Sequence, residues 1–342
     1  MIGISVYLSD EAAEERILRA SSSGMKLAFT SLHIPEESEY SREHVGHLLS
    51  IFKREGFEVF ADVSRNTPTL LGLSRFEELK DLGVTALRLD DGFTAEEMVA
   101  LSHHFQIAIN ASTVGRKELQ EWTSSGLETG NMIAWHNFYP KPETGLDQDY
   151  FMKQQRLFEA SDIPVYAFIP GDDEKRGPVY KGLPTLEDHR DQNPYTSAIQ
   201  LRHWGVQGVF IGDPGCSQEL IRKLMDYDQE NVMELAYEGS GEIEGEYQLR
   251  PDPGRDVYRL LETRTNGDVL PSNTVERPRG TITRDNDLYG RYKGEMQIVR
   301  KNLEKNPAVN TVGRIRDEDL DLLELLEPGQ KIRLIRGTGH SL

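Results

Sequence analysis

Eight short apolar runs punctuate roughly the first 215 residues, each closing on a polar or charged cluster and each followed by a helix-like stretch. They span 2–7, 27–33, 59–63, 86–91, 107–112, 133–139, 165–170 and 209–213. Strands alternating with helical patterns imply βαβ units and a parallel sheet. A count of eight predicts a closed (β/α)8 barrel, whose chemistry lies at the C-terminal strand ends. Polar residues at those ends are therefore the candidates for function.

Charge narrows the partners. The 342 residues carry a formal net charge of −18. The balance is +2 from Arg250 onward and −20 before it. A barrel that acidic repels nucleic acid and anionic membrane, so neither is an expected partner. Ordinary solubility charge is the plainer explanation of the same acidity. The one cysteine, Cys216, excludes an intrachain disulfide and any multi-Cys metal site. The first residues hold no basic segment leading an apolar stretch, and no apolar run approaches the length of a membrane span. A soluble, cytoplasmic protein is expected.

Helix starts are marked by Ser74…Glu77 and Thr94…Glu97, both with capping-box spacing, and by Ser41 ahead of an amphipathic run. Two segments break the rhythm. One is the long, charged, Pro- and Gly-rich connection 171–195 after the seventh strand, of a length that is usually functional. The other, 239–246, reads as a linker. Beyond it the chain is turn-rich and β-branched, with a helix-like run at 317–326 and a terminal strand KIRLIR. The expected domains are a barrel over 1–239 and a small β-rich domain over 240–342.

Alternation along a strand separates barrel interior from helix layer. If bulky aliphatic residues mark the helix side, the inward set includes Ser5 and Tyr7, Ala28 and Thr30, and Phe60 and Asp62. It continues with Arg88 and Asp90, Ala108 and Asn110, and Ala134, His136 and Phe138. So many polar groups predict a site at the barrel mouth, although Arg88 with Asp62 or Asp90 could equally be a structural ion pair.

The segment LRLDDG (87–92) places Asp90 inward at a strand end and Asp91 at the loop start. Adjacent carboxylates in a partly dry site should differ in acidity, one serving as an acid while the other stays anionic. Asp91 could also be a plain turn residue. Asp62, with Arg65 just beyond, is a second inward carboxylate. Residues 135–140, WHNFYP, group His136, Asn137 and Tyr139 at one strand end, a mixture suited to a sugar. His136 could instead be a hydrogen-bonded core residue. After strand eight, Gly212-Asp213-Pro-Gly-Cys-Ser217 leads into a helix start that could bind phosphate through backbone N–H groups. The sequence holds no HxH or HExxH spacing, Walker loop, GxGxxG after a strand or GxSxG elbow. Neither a metal nor a cofactor is expected.

The segments SRNTP (64–68), LRLDDGF (87–93), NAST (110–113), WHNFYPKPETGL (135–146), GPVYKGLPTLEDHR (177–190) and DNDLYGRYKGEMQI (285–298) resemble a bacterial family of 6-phospho-N-acetylmuramidases (the MupG type). The likeness spans essentially the whole chain. It implies a TIM barrel followed by a cyclophilin-like β domain, and an exo-acting glycosidase of peptidoglycan recycling. The implied substrate is a small disaccharide, 6-phospho-N-acetylmuramic acid β-linked to N-acetylglucosamine.

Glycoside cleavage needs an acid for the leaving oxygen and a second carboxylate at the oxocarbenium-like centre. Asp62, Asp90 and Asp91 are the catalytic candidates. Either Asp90 and Asp91 assist attack by the sugar's own acetamido group, or Asp62 and Asp90 act directly. Tyr7, Arg65, Arg88, Asn110, His136, Asn137, Tyr139 and Asp213 are the binding candidates in the barrel. Arg291 and Lys293 of the second domain could close over the anionic end of the substrate. The rivals are a phosphosugar isomerase or aldolase, which would need a metal or a Schiff-base lysine, and a phosphosugar sensor without catalysis.

Overall fold

The computed structural model describes residues 1–32, 42–90 and 92–337. His33, Ser41 and Asp91 lie outside the described residues. Two compact units divide the chain, Met1–Met225 and Asp226–Leu342.

The first unit alternates as β1 (Ile2–Ser5), α1 (Ala13–Ser22), β2 (Leu27–Ser31), α2 (Arg42–Glu55), β3 (Glu58–Val63), α3 (Thr67–Leu70), α4 (Glu78–Asp81) and β4 (Val84–Leu89). It continues through α5 (Ala95–Ser102), β5 (Gln106–Asn110), α6 (Arg116–Ser124), β6 (Met132–Trp135), α7 (Gln148–Glu159), β7 (Val165–Ile169), α8 (Pro194–His203), β8 (Gly208–Ile211) and α9 (Gln218–Glu230). Strands β1 to β8 pair in parallel in sequence order, and β8 closes on β1. The expected eight-stranded barrel is present.

At α5 the expected capping box forms. Thr94 N donates to Glu97 Oε2 at 2.7 Å, and Glu97 N donates to Thr94 Oγ1 at 3.3 Å. At Ser74 it does not. The helix there is one short turn starting at Glu78, whose carboxylate takes the Ser74 N–H at 3.0 Å.

The barrel interior is aromatic. Phe29, Phe60, Trp135, Tyr166, Phe168 and Phe210 pack together with Ala86, Ala108 and Ile133. Trp135 lies 4.4 Å, ring centre to ring centre, from Phe210 and 5.1 Å from Phe60. Glycines on β1 and β8 make room. A Cβ on Gly3 would stand 2.3 Å from the Phe210 ring, and one on Gly208 would stand 2.6 Å from the Tyr166 ring.

This filling reverses two strands relative to the sequence expectation. Phe29 and Trp135 point inward, so Thr30 and His136 face the helix layer. The His136 ring packs 4.7 Å from Phe151 of α7. Aliphatic bulk marks the helix side only while the interior holds small or polar groups. Here large rings fill the lumen, and small Ala28 and Ala134 serve the helix side.

The second unit is a seven-stranded mixed sheet. It comprises β9 (Val232–Gly239), β10 (Gly245–Gln248), β11 (Val257–Arg259), β12 (Thr281–Asp285), β13 (Met296–Val299), β14 (Val309–Ile315) and β15 (Lys331–Arg336). Their spatial order is β10-β15-β9-β14-β12-β13-β11. Among the described residues of this unit, β15 and β9 pair in parallel and the other strand pairs are antiparallel. Residues 239–246 are not a free linker. They close β9, form a 3-10 turn at Gly241–Ile243 and open β10. The terminal KIRLIR strand forms as expected. Leu235, Tyr237, Ile282, Ile298, Ile332 and Leu334 are buried within the unit.

Candidate active site

The parity of β3 and β4 is as expected. Asp62 and Arg88 project into the lumen just above the aromatic floor and are 6 % and 7 % exposed. Arg88 Nη1 donates to Asp62 Oδ1 at 2.9 Å, and Nη2 donates to Asn137 Oδ1. Two residues beyond Arg88, half-buried Asp90 reaches the same cavity, of about 200 Å³. Phe29, Phe138 and Phe168 form its apolar wall. Phe138 lies past the end of β6, so it reaches the cavity although strand alternation would turn it away from Asn137.

Behind this wall a polar chain fixes Asn137. Its N–H donates to Ser112 Oγ at 3.0 Å, and its carbonyl accepts from Thr185 Oγ1 at 2.9 Å. Ser112 Oγ also lies 3.2 Å from His136 Nδ1, and its N–H donates to Asn110 Oδ1 at 3.0 Å. Asn110 and His136 therefore stand behind the cavity, each bonded to Ser112, which in turn bonds the cavity residue Asn137. His136 is wholly buried, and burial, helped by the nearby Arg88 charge, pushes its imidazole down to about 3. It is neutral across ordinary pH and braces Ser112.

Tyr139 belongs to a loop clamp. Its N–H donates to Pro184 O at 2.9 Å, and its carbonyl accepts from Arg190 Nη2 at 3.0 Å. Burial raises its phenol above the usual range. Arg190 also holds Glu187 at 2.6 Å, and Glu187 accepts from Glu143 N and Gly145 N. Those bonds, led by Arg190, pull Glu187 down to about 2. The GLPTLEDHR motif thus joins the β6–α7 and β7–α8 loops.

The other sequence candidates are engaged differently. Arg65, half exposed, bonds Glu97 Oε2 at 2.5 Å at the start of α5. Asp213 is 1 % exposed and accepts from Gly171 N, Arg176 N and Leu183 N. Its oxygens tie the β7–α8 connection to the end of β8. The expected anion site at the start of α9 already holds a carboxylate. Asp172 accepts from Ser217 N at 2.7 Å and Ser217 Oγ at 2.5 Å.

Tyr7 is 1 % exposed, its hydroxyl donating to Gly212 O at 2.6 Å. Its ring face carries Arg176, 3.8 Å above the centre. Sequence reasoning missed Arg176, Ser112 and Thr185. The length of the 171–195 connection was the one signal pointing toward the first.

In the second unit, Arg291 bonds the Tyr292 hydroxyl at 2.6 Å and stacks on its ring, while Lys293 pairs with Asp287 at 3.2 Å. Among the described residues, no helix is long and apolar enough to cross a membrane.

Comparison with known proteins adds the identity. The solved structure of a conserved Enterococcus faecalis protein of unknown function is 36 % identical, with a TM-score of 0.86 over 99 % of this chain and 97 % of that one. An uncharacterized B. cereus protein is 26 % identical, with a TM-score of 0.79 over 98 % and 99 %. No functionally curated protein matches. Family models for the N-terminal and C-terminal domains of 6-phospho-N-acetylmuramidase match residues 2–226 and 228–335. With a closed parallel barrel and both domains matched, the chain belongs to the 6-phospho-N-acetylmuramidase family, glycosidases of peptidoglycan recycling that release 6-phospho-N-acetylmuramic acid from N-acetylglucosamine.

Proposed function

We propose that the cavity at the barrel mouth binds the 6-phospho-N-acetylmuramic acid residue of the disaccharide, and that Asp62 and Asp90 divide the two carboxylate roles. The supporting observation is their shared cavity, in which Arg88 bonds Asp62 and the half-buried Asp90 stands nearer the rim. A carboxylate bonded by a guanidinium is a poor proton donor, so Asp62 suits the nucleophile or base. Asp90 then protonates the leaving oxygen of N-acetylglucosamine. Aromatic walls match the apolar faces of a sugar ring, and Asn137 adds a hydrogen-bonding group beside them.

The acidic balance of the barrel favours a small molecule taken from solution over nucleic acid or an anionic membrane. Together with the family's recycling role, that supports a cytoplasmic enzyme.

Incubation with the phosphorylated disaccharide should yield the phosphorylated muramic acid sugar and free N-acetylglucosamine by mass spectrometry. Asp62→Asn and Asp90→Asn should each lose on the order of 10²–10⁴ in kcat. A thiazoline analogue should bind weakly, and Asp91→Asn should stay near normal. Tight thiazoline inhibition with a crippled Asp91→Asn enzyme would transfer the work to the acetamido group and the Asp90–Asp91 pair.

A further inference from the structure

Asn137 is held from three sides. Its N–H donates to Ser112 Oγ at 3.0 Å, its carbonyl accepts from Thr185 Oγ1 at 2.9 Å, and its side-chain Oδ1 accepts from Arg88 Nη2. The last bond settles which way the amide is turned. A guanidinium only donates, so the atom facing it must be the oxygen, and the NH2 group takes the opposite side with two N–H donors. Burial raises the Tyr139 phenol, and side-chain bonding from Ser112 and Asn137 opposes that rise, so one amide hydrogen serves the Tyr139 hydroxyl. Among the described residues no acceptor takes the other, and half-buried Asn137 lines the cavity.

Arg88 also places this amide relative to the chemistry. Its Nη1 bonds Asp62 Oδ1 at 2.9 Å. One fork thus holds carboxylate and amide side by side, within roughly 8 Å of each other. With Asp62 acting at the anomeric carbon, Asn137 is level with the substituents of the neighbouring ring carbons.

Phe138, next in the chain, joins Phe29 and Phe168 in the apolar wall, its ring centre 6.3 Å from that of Phe29 and 5.1 Å from that of Phe168. A donor beside an apolar corner matches a group made of a carbonyl oxygen and a methyl. The 2-acetamido group has that form, on the carbon next to the anomeric one. The lactyl carboxylate, one ring carbon farther, calls for a cation, and the Arg88 fork is already divided between Asp62 and Asn137.

We infer that Asn137 selects the N-acetylated sugar, donating from Nδ2 to the acetamido carbonyl oxygen while the acetyl methyl packs on Phe138. This rests on the glycosidase reading above. An oxygen held in this way is turned from the anomeric carbon, in line with a direct role for Asp62. Wild type, Asn137→Asp and Asn137→Ala are compared on three phosphorylated disaccharides: the substrate, a form with a 2-hydroxyl in place of the acetamido group, and a form lacking the lactyl ether. Asn137→Asp keeps an acceptor for Arg88 and removes the donor.

Wild type should prefer the acetamido substrate to its 2-hydroxyl form by roughly a hundredfold or more in kcat/KM, and both variants should shrink that preference by roughly tenfold or more. Preference for the lactyl ether should stay within about threefold of wild type. Disturbance of Arg88 or Asp62 slows all three substrates together and leaves the preferences intact. A wild type without the acetamido preference, variants that keep it, or a loss that follows the lactyl group overturns the assignment. Calorimetric binding of N-acetylmuramic acid 6-phosphate and its 2-hydroxyl counterpart separates this inference from the enzymatic reading. Binding weakened by Asn137→Asp for the acetylated sugar alone supports the assignment even if wild type cleaves nothing, whereas equal effects on the two sugars overturn it.

Discussion

At the scale of single residues, the site is governed by who neutralises whom. Arg88 stands between Asp62 and Asn137 with its side chain 8 % exposed. Removing one partner of a buried pair typically costs about 3–5 kcal/mol, because it leaves the other charge without compensation. Arg88→Met should therefore lower stability by several kcal/mol in urea unfolding as well as abolish turnover. An Arg88→Met enzyme as stable as wild type would mean that Asp62 is compensated by other groups. His136 makes a pH prediction. Its folded imidazole titrates at about 3 against 6.5 in the unfolded chain, so between those values only the unfolded state takes up the proton. Stability must then fall as pH drops below 6.5, by roughly 2 kcal/mol from this residue at pH 5. His136→Asn should flatten the pH 5–7 slope of the unfolding free energy. An unchanged slope would show that the ring is protonated in the folded protein.

At the scale of elements, the loops after β7 and β8 are built as one layer. A Cβ on Gly215 would stand 2.2 Å from Glu174 N, and one on Gly171 would stand 1.9 Å from Gly215 O. Backbone lies directly on backbone there, so the alternative to glycine is displacement of the whole 171–183 connection. Gly215→Ala should speed proteolysis within 171–183 and raise KM, while leaving the far-ultraviolet circular dichroism of the barrel unchanged. Protease resistance equal to wild type would show that the loop accommodates the methyl group by a small shift. The long connection was legible as unusual because of its length and charge. Its partner was not, since Asp213 and the residues it holds are separated by 30 positions or more. The same limit applies to Arg190 and Tyr139, which the GLPTLEDHR motif brings together across 51 residues.

At the scale of the whole molecule, individual buried groups in the two units respond oppositely to pH. His136 and His189, the latter pushed down to about 4 by burial, make the barrel more stable as pH rises toward 6.5. In the second unit, burial and the neighbouring Glu295 raise Asp285 to about 7. Its folded state keeps a proton that the unfolded chain has released above 3.8, so this contribution is lost as pH rises from about 4 through 7. Asp285→Asn should raise the Tm by a few degrees at pH 8 and change it little at pH 4, and equal shifts at both would contradict the assignment. The alternation of apolar runs and helix starts determined the eight-stranded barrel, and turn-rich β-branched sequence determined a second β unit. Regular alternation also turned Asp62, Arg88 and Asp90 inward, because period-two geometry needs only local information. Tertiary structure decided the facing of β2 and β6, where Phe29 and Trp135 join a lumen in which Gly3 makes room for Phe210 and Gly208 for Tyr166. It also decided that Asp172 fills the start of α9 and that Tyr7 carries Arg176. Those contacts join residues far apart in sequence, and their free energies depend on burial and neighbouring charge, which exist only once the barrel has closed.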